Sequence, residues 1–147
     1  MEASINIIMG RFIIQHILLV EDESELAKTL KRHLKREGFS VILAADGAVA
    51  MQIIEASALH GMPVDLVISD VVMPNMDGIG LLRWIKAKHP YISVLLLSGF
   101  GDLGTVVDNI RPDMDDYFQK PLTPSDMMNL IQTIDHKRKT VEIMQNY

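Results

Sequence analysis

The run Leu66-Val67-Ile68-Ser69-Asp70, followed by Val71-Val72-Met73-Pro74-Asn75-Met76-Asp77-Gly78, decides how the chain folds. An apolar run of strand length without polar alternation fits a strand buried on both faces, as a parallel sheet requires. It ends in a carboxylate, and turn chemistry follows at Pro74, Asn75 and Gly78. The third strand is therefore predicted over Asp65 to Ser69, with Asp70 at its carboxyl end. Two other runs close in the same way. Ile17-Leu18-Leu19-Val20 leads into Glu21-Asp22, and Tyr117-Phe118-Gln119 leads into Lys120-Pro121.

Helical patterns separate these strands. The first strand, His16 to Val20, precedes a helix from Ser24 whose Leu26, Leu30 and Leu34 recur every four residues. Lys35 and Arg36 occupy its last turn and Gly38 ends it. Ser40 to Ala44 reads as the second strand. Asp46 caps a helix over Gly47 to Ala56 with Ala50, Ile53 and Ile54 facing inward. Gly61 and Pro63 mark the next loop. Beyond Asp70, Asp77-Gly78 reads as a turn and helix cap rather than a ligand. Ile79 to Lys88 forms the third helix, with Leu81, Leu82 and Ile85 inward and Pro90 closing it. The fourth strand is Ser93 to Leu97. A fourth helix is expected over Leu103 to Ile110, and the fifth strand over Met114 to Gln119. Thr123-Pro124 opens the fifth helix, whose core stripe is Met127, Leu130, Ile131 and Ile134. Strand and helix alternate five times, which gives an α/β fold with helices on both faces of a parallel sheet.

The chain has 147 residues, 48% of them hydrophobic, enough for one domain with one real core. The domain is assigned to residues 15–136, with an N-terminal extension at 1–14 and a C-terminal tail at 137–147. The extension is apolar, but Asn6, Gly10 and Arg11 interrupt it and Glu2 spoils a signal peptide. It reads as a packed segment, with a contact surface for another chain as the alternative. No segment has the length of a membrane span. With 19 acidic and 14 basic residues the net charge is −5, so direct nucleic-acid binding is not expected. There is no cysteine, which removes disulfides and thiolate metal sites and fits the cytoplasm. The five histidines show no ligand spacing, and the ten methionines read as gap-filling core and surface scatter.

In an open parallel sheet the carboxyl ends of neighbouring strands meet at one crevice. Glu21, Asp22 and Asp70 would converge there, and clustered carboxylates repel unless a hard cation lies between them. Lys120 in the same crevice would hold an anion such as phosphate. Simpler readings stand beside these. Glu21 and Asp22 could cap a helix, Asp70 could serve a turn, and Lys120 could be a solvated lysine.

Four motifs in order, Glu21-Asp22, Asp70 to Gly78, Ser98-Gly99 and Lys120-Pro121, resemble those of the receiver domain of two-component response regulators. The resemblance runs from about His16 to His136. It implies a flavodoxin-like (βα)5 three-layer sandwich with sheet order 2-1-3-4-5. It also implies that Asp70 is the phosphoacceptor, charged from a sensor histidine kinase or a histidine phosphotransfer protein. Asp22, Asp70 and the Val72 backbone carbonyl would ligate Mg2+, with Glu21 acting largely through water. Lys120 and the Ser98 hydroxyl would bind phosphoryl oxygens, and the Lys120–Pro121 bond would be cis. Ser98 and Tyr117 would form the switch. It would repack the fourth helix, fifth strand and fifth helix as the face for a downstream protein target. The alternative for Tyr117 is a half-buried strand aromatic. By the same resemblance Val72 and Phe100 would flank the path of an attacking water, and their apolar side chains would slow self-dephosphorylation. Phe100 could instead point away and leave that path open. The resemblance leaves a homodimer open.

The chain departs from the family in its fourth-helix segment. Gly99, Gly101 and Gly104 precede β-branched Thr105, Val106 and Val107, all poor helix formers, and Arg111-Pro112-Asp113 replaces small residues. Two other functions compete. One is a Mg2+-dependent aspartate-nucleophile phosphatase of the haloacid dehalogenase type. Its D-x-D motif follows the first strand, where this chain has Glu21-Asp22. The other is a receiver cut from a larger hybrid kinase or regulator.

Overall fold

The computed structural model describes residues 12–73, 75–99 and 116–145. Five parallel strands form one sheet of order β2-β1-β3-β4-β5. They are β1 His16–Val20, β2 Ser40–Ala44, β3 Leu66–Asp70, β4 Ser93–Ser98 and β5 Asp116–Gln119. The described helices are α1 Ser24–Arg36, α2 Gly47–Leu59, α3 Gly78–Lys88 and α4 Pro124–Gln145. The last is the fifth helix of the sequence reading. The helix expected over Leu103 to Ile110, the start of the expected fifth strand and Phe100 lie outside the described residues, as do residues 1–11.

The central strands carry no polar face because both faces are covered. Along β1, Leu18 and Val20 enter one core with Val67, Leu96, Ala50, Ile54, Leu82 and Ile85. Ile17 and Leu19 enter the other with Ile68, Leu95, Leu30, Leu34, Met127 and Ile131. The period-two alternation of a strand thus feeds two cores, not one core and solvent. The predicted helix starts hold. Asp46 accepts from the Val49 N–H at 2.9 Å, and Asp77 accepts from the Gly80 N–H at 2.7 Å. Thr123 Oγ1 accepts from the Asp126 N–H while Asp126 accepts from the Thr123 N–H, a reciprocal cap.

The boundaries at 14 and 137 need correction. Ile14 is fully buried, and the Phe12 ring packs on Phe39 with centroids 5.1 Å apart. Asp135, almost fully buried, accepts from the N–H groups of Ile13 and Ile14 at 2.8 and 2.9 Å. Asp65 accepts from the next two, Gln15 and His16, both at 2.8 Å. At the other end, the helix continues through Lys137-Arg138-Lys139, which favour helix. Lys139 pairs with Asp135 one turn earlier at 3.3 Å. Arg138 donates to the carbonyls of Asp65 and Tyr91 and to Ser93 Oγ, so this turn is tied to the sheet's amino-terminal edge. Helix α2 likewise runs three residues beyond Ala56, because Ala58 and Leu59 also favour helix and Gly61, at φ 74°, is the first breaker.

Asp135→Ala is expected to cost about 3 kcal/mol, because it strands a buried N–H and a partly buried one. Asp135→Asn keeps an acceptor and should cost clearly less. Urea unfolding of the two variants beside the wild type checks this; equal midpoints for both variants would contradict it.

Candidate functional site

Strand order reverses at β1, since β2 lies on one side of it and β3 on the other. The connections diverge there and leave a crevice at the carboxyl ends. Backbone bonds fix what borders it. The Glu21 N–H donates to the Ala44 carbonyl at 3.0 Å, the Val71 N–H to Leu97 at 2.8 Å, and the Lys120 N–H to Ser98 at 2.7 Å. Glu21 and Asp22 thus leave the end of β1, Asp70 closes β3, Ser98 closes β4 and Lys120 follows β5.

The crevice holds about 310 Å³ and is bordered by Glu21, Asp22, Asp70, Val72 and Lys120, with Glu23, Leu97 and Gly99. Glu21 and Asp70 are buried, Asp22 is exposed, and one carboxylate oxygen from each lies within 4.8 Å of the others. Lys120 Nζ stands 2.6 Å from Asp70 Oδ1 and 2.9 Å from Glu21 Oε1. Glu21 Oε2 accepts from the Glu23 N–H at 3.1 Å. Asp70 Oδ1, although paired with the ammonium, is buried with no hydrogen bond of acceptable geometry. A buried carboxylate oxygen that shares its ammonium with a second carboxylate keeps capacity for another cation. Hard-cation chemistry suits such an oxygen, and the all-oxygen donor set suits Mg2+.

Burial, and after it the neighbouring Glu21, push the Asp70 carboxyl up to about 8, against the pull of Lys120. Burial also works on Glu21, but bonding to Asp70, Lys120 and the Glu23 N–H outweighs it and leaves that carboxyl below its ordinary range. Burial disfavours the charged Lys120, yet Asp70 and Glu21 outweigh it and hold its pKa up. The crevice thus favours ionisation at Glu21 and disfavours it at Asp70, a bias that a further cation would relieve.

The Lys120–Pro121 peptide is cis. Ser98 and Tyr117, the two residues of the expected switch, meet directly. The buried Ser98 hydroxyl lies 2.5 Å from Tyr117 Oη and is not part of the crevice lining. Tyr117 is half-buried against the core shared by α2 and α3. Val72 borders the crevice and is 58% exposed. Two features escaped the sequence reading. Glu21 is the second partner of Lys120, which no local pattern could reveal across 99 residues. Gly78, read as a turn residue, sits so close to β3 that a Cβ on it would lie 2.1 Å from the Asp70 carbonyl oxygen.

The family model of the response regulator receiver domain matches residues 17–132. The chain belongs to this family and is a receiver domain of two-component signalling. It is 33% identical over 130 residues to the transcriptional regulatory protein CpxR of Escherichia coli K12, covering 88% of this chain and 53% of that protein. A response regulator receiver domain protein from Clostridium thermocellum superposes with a TM-score of 0.76 at 28% identity, over 86% of this chain and 98% of the other. The receiver domain of a signal transduction histidine kinase from Syntrophus aciditrophicus gives 0.70 at 31% identity, over 84% and 91%. The chain spans about half the length of the curated relatives it matches. Family membership sets the haloacid dehalogenase reading aside. Among the described residues no helix is long and apolar enough to cross a membrane.

Proposed function

We propose that Asp70 accepts a phosphoryl group from the phosphohistidine of a sensor histidine kinase or a histidine phosphotransfer protein, with Mg2+ bound beside it. The P–N bond to histidine breaks and a P–O bond to an Asp70 carboxylate oxygen forms. The observation that carries this reading is the buried Asp70 Oδ1, which shares the Lys120 ammonium with Glu21 and is grouped with Glu21 and Asp22. Glu21, Asp22, Asp70 and the Val72 carbonyl are the groups that would hold the ion. When bound, Mg2+ supplies positive charge against the repulsion between carboxylate and phosphoryl oxygens. Phosphoryl transfer asks mainly for such positioning and charge neutralisation.

Lys120 then exchanges its contact with Asp70 for a phosphoryl oxygen. The Ser98 hydroxyl leaves Tyr117 Oη for another oxygen, and Tyr117 is released to repack the surface beside β5. That surface would bind a downstream protein, without direct nucleic-acid contact by this domain and in the cytoplasm. Val72 and Phe100 would exclude the attacking water and lengthen the life of the phosphorylated state. A receiver within a larger regulator or hybrid kinase is the second reading. It draws on the partial coverage of the relatives and on the likeness to a histidine kinase's receiver.

Asp22→Ala tests the assignment. Asp22 is exposed, so its removal should leave unfolding in EDTA unchanged and abolish labelling by acetyl phosphate plus Mg2+. Normal labelling of this variant would sink the metal assignment.

A further inference from the structure

Asp46 divides its carboxylate between two tasks. One oxygen caps α2, and the other accepts from Asn75 Nδ2 at 2.8 Å. Asn75 has φ 69°, a left-handed conformation that asparagine tolerates better than most residues. Next to Asp46, a Cβ on Gly47 would lie 2.8 Å from the Met76 carbonyl oxygen, so the start of α2 and the segment after β3 touch backbone to backbone. Two residues before Asp46, the Ala44 carbonyl accepts from the Glu21 N–H. The turn Ala44–Asp46 is therefore bonded on one side to the acidic pair after β1 and on the other to the segment after Asp70.

We propose that Asp46 is a positioning residue for the cation site, clasping the Asp70–Gly78 segment through Asn75 at a set distance from Glu21 and Asp22. This inference rests on the function proposed above. Asp46 does not border the crevice, so it would touch neither the ion nor the phosphoryl group. It fixes where the Val72 carbonyl stands relative to the carboxylates, as outer partners do in metal sites. The hydrogen bond is charge-assisted, which favours one geometry over its alternatives.

Asn75→Asp and the swap Asp46→Asn/Asn75→Asp separate this role from simple electrostatics. The single change sets two carboxylates against each other and breaks the clasp. Its added negative charge alone would strengthen cation binding, so weaker binding reports geometry. In the swap, the amide oxygen keeps the α2 cap and the amide N–H donates to the new carboxylate, restoring the clasp at wild-type net charge. The readout is Mg2+ affinity by calorimetry on unphosphorylated protein, with the unfolding midpoint in EDTA as the fold control.

The single variant should bind Mg2+ about fivefold more weakly, and the swap within about twofold of wild type, a modest effect for an outer partner because the clasp is exposed. Wild-type affinity or tighter in the single variant overturns the clasp and leaves the proposed function standing. A swap as weak as the single variant also overturns it. Absence of Mg2+ binding by the wild type overturns the proposed function itself, and the clasp's role with it.

Discussion

Asp70→Asn is expected to abolish phosphoryl labelling and, at the same time, to stabilise the metal-free protein at alkaline pH. Asparagine offers no carboxylate oxygen to attack phosphorus, so labelling should fall to background. The gain in stability follows from where the proton sits. The Asp70 carboxyl is raised from 3.8 to about 8 in the folded chain. The folded state therefore binds this proton more tightly than the unfolded state does. That contribution is complete below the unfolded value and is lost as pH rises through 8. Ionised Asp70 in the metal-free crevice then faces Glu21 with only Lys120 between them. Asparagine never ionises, so the variant escapes this loss. Near pH 8.5 in EDTA it should be more stable than wild type by about 2 kcal/mol, less than the whole shift would give because solvent at the mouth of the crevice screens the ionised carboxylate. Near pH 4 the difference should vanish, and Mg2+ should narrow it at pH 8.5 by binding the wild type's folded state. Urea unfolding at the two pH values measures both terms. A variant less stable than wild type at pH 8.5 in EDTA would contradict the account of the crevice.

Gly78→Ala should be the most disruptive alanine substitution among the glycines with a described Cβ environment. Helix α3 starts at Gly78 directly over the end of β3, and its N–H donates to the Val71 carbonyl at 2.8 Å. An added Cβ would stand 2.1 Å from the Asp70 carbonyl oxygen, 2.9 Å from its carbon and 3.0 Å from the Val71 Cα. All three are backbone atoms, so no side chain can rotate away. Either α3 lifts from the sheet or β3 gives way at the phosphoacceptor. The expected cost is about 3 kcal/mol, at the upper end for overpacking. For a domain of this size that lowers the unfolding temperature by about 10 °C. Mg2+ affinity should fall as well, because the strain falls on Asp70 itself. Gly38→Ala provides the contrast. Gly38 is in open space, and its constraint is φ 100° rather than a close approach. That change should cost less and leave Mg2+ affinity unchanged. A Gly78→Ala protein with wild-type unfolding temperature would contradict the packing described here.

The fold was readable because its central strands are apolar on both faces and its helix caps are local. Leu66 to Ser69 could be nothing but a central strand, and Asp46, Asp77 and Thr123 cap where their neighbours in sequence require. The site was readable for a related reason. In a parallel sheet, position at a strand's carboxyl end is position in the crevice, so Glu21, Asp22, Asp70 and Lys120 could be brought together without coordinates. What escaped depends on contacts between residues far apart in the chain. Lys137-Arg138-Lys139 has the composition of a solvated tail, and its bonds to Asp65, Tyr91, Ser93 and Asp135 make it a bound helical turn. Ile14 looked like part of an extension until Asp135, 121 residues away, accepted its N–H. Asp46 was legible as a cap, but its second oxygen serves Asn75 across 29 residues. The Ser98–Tyr117 bond is of the same kind: each residue was singled out for a switch, and neither local pattern shows that the two hydroxyls meet.

The most direct test of the central claim is mass spectrometry of the protein after incubation with acetyl phosphate and Mg2+, with peptide mapping of the product. The account predicts one added phosphoryl group, carried by the peptide containing Asp70, absent in EDTA and absent in Asp70→Asn. An adduct on another residue, or continuous release of inorganic phosphate with no adduct at Asp70, would contradict it.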